Sequence, residues 1–590
     1  MLKECLEVFK YKMEKTKGQL ILHTYIPADG TYLIVGRDGQ IQLCVDIVKD
    51  KKTKQIDRAV SGFDTLCFYD YNSRLLSMNK PMDPKKIIHS NNYLSFFVKK
   101  DSILSGKLTE EIIEGYYSTL KAPLENKYKK SKEASRIYQA FALEEGEVDQ
   151  EQVEAKEKWI KNHIFNLKAW IPDLDLKKKD YLKIFFEGEP SEYEREGKRY
   201  FLPNIYNNNK YNVEICHVIY GIPDNNLGMN TKKPFLSIKT RKCAAPYLLN
   251  GEDVMLQKQF FDYLYNLVSE GKSHVYIDTS RMEITGCTSD QAPKYVESGY
   301  YLLLEKGKSE AEICDQDNIS GYRRKLDPEL RFESVLKCDY QLHPEYKTKY
   351  GRYDDRLKVG KLIDEVFFMN FLGNCYDMKL SDIKIKDEIL EQCVVMSRDT
   401  MAAWVFRGND IGMEPVLLKR VAFAMMKHCV LMGAVEKVRL QFDLKYSLES
   451  YFSRKKGENM SEVIGKMRET VKQKVNSEAL MPVDNDKEYY YCVGQLAYYL
   501  LSLSKANDKN DSLLNPILNA KNDRQIKDGL MRLYKKYNYR IQMGTPRFRN
   551  LMGMVMGYDP ENGEKADQQT ILLGYVCENV VYKKEEKENE

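Results

Sequence analysis

Lysine and arginine gather in three tight groups along this 590-residue sequence. Grouped cations attract a polyanion by displacing the counterions condensed on its phosphates. The first group is Lys232-Lys233-Pro234-Phe235-Leu236-Ser237-Ile238-Lys239-Thr240-Arg241-Lys242, with five cations and no acid in eleven residues. Lys232, Lys233, Lys239, Arg241 and Lys242 sit on a segment kept extended by its proline, a pattern that also fits a solvated surface strand. In Tyr346-Lys347-Thr348-Lys349-Tyr350-Gly351-Arg352-Tyr353 the cations Lys347, Lys349 and Arg352 alternate with rings able to stack on unpaired bases. Asp354 and Asp355 follow at once and compete for the same charges.

The third group, residues 521–549, sets nine basic residues against Asp523 and Asp528. Besides Lys521 it holds Arg524, Lys527, Arg532, Lys535, Lys536, Arg540, Arg547 and Arg549. Helical spacing puts Arg524, Lys527 and Met531 or Arg532 on neighbouring turns, and Lys535 and Lys536 continue the track. Such a stripe suits a protein that follows a nucleic-acid backbone without reading its sequence; a solvated helix face has the same composition.

A fourth segment has different chemistry. Met78-Asn79-Lys80-Pro81-Met82-Asp83-Pro84-Lys85-Lys86 is broken by two prolines and leads through His89-Ser90-Asn91-Asn92 into an apolar run. Lysines beside amides combine phosphate contact with reading of base edges, which makes Asn79, Lys80, Lys85, Lys86, Asn91 and Asn92 candidates for touching DNA. Turn-forming asparagines in a solvated loop are the competing reading.

Bond-breaking equipment is missing from the motifs. Gly271-Lys272-Ser273 and Gly307-Lys308-Ser309 imitate the end of a phosphate-binding loop, but Asn266 and Leu302 stand where its first glycine is required. There is no nucleophile elbow, kinase signature or dinucleotide fingerprint, and Asp278 and Glu283 lack a nuclease frame. Thirteen cysteines form no CxxC pair, and seven dispersed histidines give no local zinc motif. No catalytic residue, cofactor or metal is therefore expected.

The elements that must position these groups follow from composition and periodicity. A chain this long exceeds one hydrophobic core, so two to four domains are expected. It is 43% hydrophobic and 30% charged, the balance of a folded protein. Net charge is only +5, so a nucleic acid must be held by local clusters and not by a global field. The most apolar stretch, 421–435, is interrupted by Lys427 and His428 and is too short to span a membrane. The N-terminus lacks a signal-peptide pattern, so a cytoplasmic protein is expected.

An amphipathic helix opens the chain, followed by β-rich runs at 20–26, 31–35 and 41–47 with Asp-Gly turns between them. Strand-like runs recur at 63–71, 93–98, 211–220 and 275–278, and helices at 108–170 and 254–268. From about residue 359 the apolar period becomes helical. The expected fold is α+β: a mixed α/β N-terminal region with a β-meander, then an all-α C-terminal helical bundle. Expected divisions are 1–170, an N-terminal α+β domain; 171–355, a second α+β region; 356–459, a helical connector; and 460–590, a terminal bundle.

Several segments carry a family resemblance. The stretch from Met78 through His89-Ser90-Asn91-Asn92-Tyr93-Leu94-Ser95-Phe96-Phe97, the Lys233–Lys242 cluster, Gln257-Lys258-Gln259-Phe260-Phe261-Asp262-Tyr263-Leu264, and the closing Val493-Gly494-Gln495-Leu496-Ala497-Tyr498-Tyr499-Leu500 and Leu573-Gly574-Tyr575 resemble the Csh-type large subunit of the type I-B CRISPR Cascade. The resemblance implies a non-catalytic, cytoplasmic ribonucleoprotein subunit in antiviral defence. Its partners would be crRNA, target double-stranded DNA, the displaced single strand, the backbone, guide-end and small subunits, and a recruited helicase-nuclease, with no membrane. The N-terminal domain would lie at the 5′ side of the guide and recognise the protospacer-adjacent motif. The last bundle would resemble a small subunit and hold the displaced strand of the R-loop, with Met460 and Met467 as candidate internal starts. A metal-dependent nucleic-acid-processing enzyme and a purely structural scaffold are the readings from other classes.

Overall fold

In a computed structural model that describes residues 1–50, 56–172, 174–207, 211–224, 248–307, 310–336, 350–452, 460–504, 511–541, 545–561 and 565–582, the first sheet forms around β1 (Gly30–Val35). This strand pairs antiparallel with β2 (Ile41–Ile47) and parallel with β4 (Tyr181–Phe186), and β4 pairs antiparallel with β3 (Ser95–Lys99). The order is β2-β1-β4-β3. Every residue of the interior strand β1 is buried and β2 at one edge alternates, whereas β3 at the other edge is buried from Ser95 to Val98. A strand covered on both faces needs a continuous apolar run, and a half-covered edge needs period two.

Two of the runs expected as strands are helices. Residues 19–24 form Gln19–Thr24, and residues 63–73 form Phe63–Ser73. Phe63, Leu66, Cys67 and Asp70 are buried at helical spacing, so packing against the sheet overrides the β preference of the aromatic residues. The run at 211–220 is a hairpin, β5 (Val213–Ile215) with β6 (Val218–Tyr220), turning at Cys216 and His217. Both turn residues have positive φ, +50° and +64°, as a two-residue hairpin turn requires.

The second sheet has the order β10-β9-β7-β8, built from β7 (His274–Asp278), β8 (Glu283–Cys287), β9 (Tyr295–Lys306) and β10 (Ala311–Arg323). The Gly251–Ser269 and Leu2–Lys15 helices share its core, where Phe9 meets Phe260 edge-on at 5.4 Å beside Leu264, Val275 and Ile277. A last hairpin, β11 (Lys325–Phe332) with β12 (Gly351–Asp355), precedes the helical region that starts at Arg356–Phe368. The fold is α+β, with mixed and antiparallel sheets first and a mostly helical C-terminal region. The chain forms two compact units, Met1–Thr288 with Glu297–Asn318 and Ser289–Val296 with Ile319–Glu590. No described helix is long and apolar enough to cross a membrane.

Tyrosine works largely inside. Tyr116, Tyr193 and Tyr200 are fully buried, and each hydroxyl donates to backbone carbonyls: Tyr116 to Asn92, Tyr193 to Leu94 and Phe186, Tyr200 to Leu120, at 2.7–2.9 Å. The ring fills the core while its hydroxyl satisfies a carbonyl outside the regular ladders. No disulfide joins the described cysteines.

In the second unit one core takes in Leu336, Met426, Phe442 and Tyr446 and runs to Val581. Its tightest contact joins the Asp486–Ser502 and Gln568–Val576 helices. A methyl group built on Gly494 would lie 2.0 Å from the Ile571 carbonyl oxygen, and one built on Gly574 would lie 2.1 Å from that of Tyr491. The two backbones therefore touch where side chains are missing, and Gln495 seals the contact. Its amide nitrogen donates to Gly574 O at 2.5 Å, and its oxygen accepts from Val580 N at 2.8 Å. Gly494→Ala is expected to destabilise the protein by about 3 kcal/mol or more, because backbone cannot yield as a side chain does. Gly465→Ala, on the exposed side of the Met460–Asn476 helix with open space around it, is expected to stabilise by about 0.5–1 kcal/mol. Urea unfolding of the two variants checks both signs.

Candidate nucleic-acid interface

The Asp523–Tyr537 helix begins with an Asn522 cap whose side chain accepts from Gln525 N. It buries Ile526, Gly529, Leu530, Leu533 and Tyr537 against the second unit's core. That apolar stripe fixes what faces outward. Arg524, Arg532, Lys535 and Lys536 are all exposed, and at 3.6 residues per turn they fall within an arc of about 120° along about 18 Å of helix. Asp528 is the one carboxylate in the same arc. None of the four makes an ion pair with a described residue, although Lys536 lies 5.4 Å over the Tyr537 ring. Tyr539, 76% exposed, follows directly after the helix.

The other cations of this group are placed differently. Lys527 bridges Asp523 at 3.0 Å and Asp559 at 3.1 Å and donates to the Tyr558 carbonyl at 2.7 Å. Burial opposes its charge, but the bonds to the two aspartates hold its pKa above the usual lysine value. Lys527 is thus a neutralised internal tie and leaves the track. Arg540 is half-buried and donates to the Leu503 carbonyl at 3.0 Å. Arg547 is half-buried on the next helix, Pro546–Met556, while Arg549 is exposed there.

The proline-bounded loop in the first unit divides in a similar way. Lys80 reaches inward to Asp224 at 2.7 Å and to the carbonyls of Asn204 and Tyr206 at 2.6 and 3.0 Å. Lys127 donates to the Pro81 carbonyl from beneath the loop, and burial pushes its pKa down to about 8. Buried Asp83 accepts from the backbone of Lys85, Ile87 and Ile88 at 2.7–3.0 Å. Asn79, Lys85 and Lys86 remain exposed, Lys86 with φ +60°.

Asn91 and Asn92 are 4% and 0% exposed. The Asn92 amide donates to Asn91 Oδ1 at 2.9 Å, its oxygen accepts from Leu94 N at 3.0 Å and Ser95 Oγ at 3.2 Å, and Asn91 donates to Gly197 O at 3.3 Å. Both side chains shape the turn into β3 and show no amide to the outer surface. Of the central group, Arg352 lies on β12, largely exposed and 3.1 Å from Glu329 across the hairpin. Lys232, Lys233, Lys239, Arg241, Lys242, Lys347 and Lys349 lie outside the described residues.

Sequence reasoning passed over a set of buried charges in the first unit. Lys183, in the middle of β4, meets Asp70 of the Phe63–Ser73 helix at 2.6 Å. Asp262 Oδ2 receives Lys258 at 2.5 Å, Tyr71 OH at 3.0 Å and Arg74 at 3.3 Å. A lysine amid Tyr-Leu-Lys-Ile-Phe-Phe and a Lys–Asp pair at i,i+4 were the available signals. Among the described residues no group of three or more histidine, cysteine, aspartate or glutamate side chains is placed to hold a metal ion.

No protein-family model, curated protein or solved structure matches the chain.

If Asn92 builds the loop, Asn92→Ala lowers stability by about 1–3 kcal/mol through orphaned buried partners. Chemical denaturation measures this, and a variant as stable as the parent would return Asn92 to the candidates for direct readout.

Proposed function

We propose that the protein is a non-catalytic, nucleic-acid-binding subunit of a cytoplasmic crRNA-guided assembly of the type I-B Cascade kind. In this role the exposed face of the Asp523–Tyr537 helix follows the backbone of the displaced strand. The observation that carries the reading is the outward alignment of Arg524, Arg532, Lys535 and Lys536 on one helix, free of ion pairs with described residues. A track of this kind needs no base-specific geometry, because its affinity comes from released counterions and is sequence-tolerant. Exposed Arg549 and Tyr539 lie near it in the sequence and add a further cation and a stackable ring. The resemblance of the loop, helix and closing motifs to the large-subunit family supplies the assembly and the target duplex. Under this reading sequence specificity belongs to guide pairing, and the exposed Asn79, Lys85 and Lys86 serve the short duplex motif.

The test is the salt dependence of binding to a single-stranded oligonucleotide. Each lost phosphate contact on a single strand reduces the slope of log K against log salt by roughly 0.7. Changing Arg524, Arg532, Lys535 and Lys536 together to Gln is expected to lower the slope by roughly 3 and to weaken binding at low salt. Lys527→Gln, which removes a tied cation, is expected to leave the slope unchanged. A quadruple variant with the parental slope would overturn the track.

A further inference from the structure

Within the first unit the buried charges open onto a cavity of about 650 Å³. Arg74, Lys183, Lys198 and Lys258 are the cations in its lining, against the carboxylates of Glu194 and Asp262. Asp70 lies beneath Lys183, so one positive charge remains after all three carboxylates are counted. Two of the cations are recessed but still reachable: the Arg74 side chain is 34% exposed and that of Lys258 15%. Arg74 is braced between rings, 5.2 Å from the centroid of Tyr25 and 4.8 Å from that of Tyr71, and Lys258 lies 5.2 Å over Phe201.

The electrostatics show which charge the arrangement lacks. Burial opposes the ionised form of Asp262, but Lys258 and Arg74 outweigh it and hold its pKa below the usual value. Lys258 and Lys183 are both held below the ordinary lysine range, by burial first and by the nearby charge of Arg74 as well. Burial also opposes the charge of Arg74, but Tyr25, Asp262, Tyr71 and Asp70 outweigh it and hold the guanidinium above its ordinary value, so the strain of burial falls on the two lysines. An anion entering the cavity would meet the one excess positive charge and favour the charged form of both lysines.

Size and lining narrow the anion. An inorganic ion would leave most of 650 Å³ empty, and the cavity falls in the range that holds a small organic ligand. The walls also carry amides and rings. The side-chain amides of Asn79 and Gln259 make no hydrogen bond with described residues, and Tyr181 and Phe201 contribute aromatic surface. Guanidinium and ammonium groups suit a phosphate, amides suit the edge of a base, and rings suit its face.

We infer that this cavity binds a nucleoside phosphate, either free or as one nucleotide of a strand. The site is built from residues of the first unit alone and does not depend on the displaced-strand reading.

Titration calorimetry of the full-length protein tests it with AMP, GMP, CMP and UMP, with inorganic phosphate, and with a 5′-phosphorylated dinucleotide. At least one mononucleotide is expected to bind more tightly than inorganic phosphate. Lys258→Gln is expected to weaken that binding roughly ten- to hundredfold, the range for a lost hydrogen bond to a charged group. Asn79→Trp, an exposed change at the rim that leaves the charge network intact, is expected to block entry and decides the matter if Lys258→Gln does not fold. Competition of the dinucleotide with the mononucleotide identifies a strand as the source, and its exclusion identifies a free nucleotide; both support the site. Changing Lys535 to Gln leaves mononucleotide affinity unaltered, which separates this site from the helix track. Mononucleotides that bind no better than phosphate, or that bind Asn79→Trp as well as the parent, overturn the inference.

Discussion

Lys183 carries an ammonium group into the interior of the first sheet, and the surrounding structure is arranged to accept it. The side chain is 6% exposed and its partner Asp70 is fully buried. Removing such charges from water costs several kcal/mol per ion unless the pair is close and its remaining valences are filled. Asp70 meets Lys183 at 2.6 Å and accepts from Tyr25 at 2.9 Å, and the ammonium lies 4.7 Å over Phe97. The strand β4, the Phe63–Ser73 helix and the segment before β1 are thereby held in one register. A slip of one residue in β4 would send the charge to the opposite face and leave Asp70 buried alone.

The same economy of charge separates the chain's cations into two populations that a count cannot distinguish. Lys80, Lys100, Lys183, Arg199 and Lys527 are internal fasteners. Lys100 meets Asp180 at 2.8 Å, Arg199 meets Glu196 at 2.8 Å, and each of the others has its own carboxylate. Arg524, Arg532, Lys535 and Lys536 have no such partner among the described residues. The second population keeps its whole field for a ligand, whereas paired cations offer one only where they outnumber the carboxylates around them, as in the cavity lined by Arg74 and Lys258.

Legibility in the sequence follows the same division. Period and turn chemistry are local, so β1, β2, β3, β7 and the long helices could be read directly, as could the outward Arg524, Arg532, Lys535 and Lys536 of the Asp523–Tyr537 helix but not the inward tie of Lys527. The runs at 20–26 and 63–71 could not, because aromatic residues favour strands and only the sheet beneath them selects a helix. Asn91 and Asn92 looked like exposed readers because asparagine beside lysine has the composition of a binding loop. Their burial depends on Gly197, more than 100 residues away, which admits the Asn72 carbonyl to within 2.3 Å of where its Cβ would stand. The charged cavity was invisible for a related reason: Arg74, Lys183 and Lys258 come from three separate elements, and no spacing links them.

Glycine sets the form of the closing motifs. Val493-Gly494-Gln495 and Leu573-Gly574-Tyr575 are far apart in sequence, yet each glycine opens the place that the other helix's backbone fills. Neither position tolerates a side chain, and Gln495 has the one shape that both donates to Gly574 O and receives Val580 N. A contact this constrained restricts the residues at both positions while saying nothing of a ligand. The outward face of the neighbouring basic helix is under no such packing constraint. Its cations meet no packing demand from the described residues, so their placement is set by solvation or by a ligand and not by the fold.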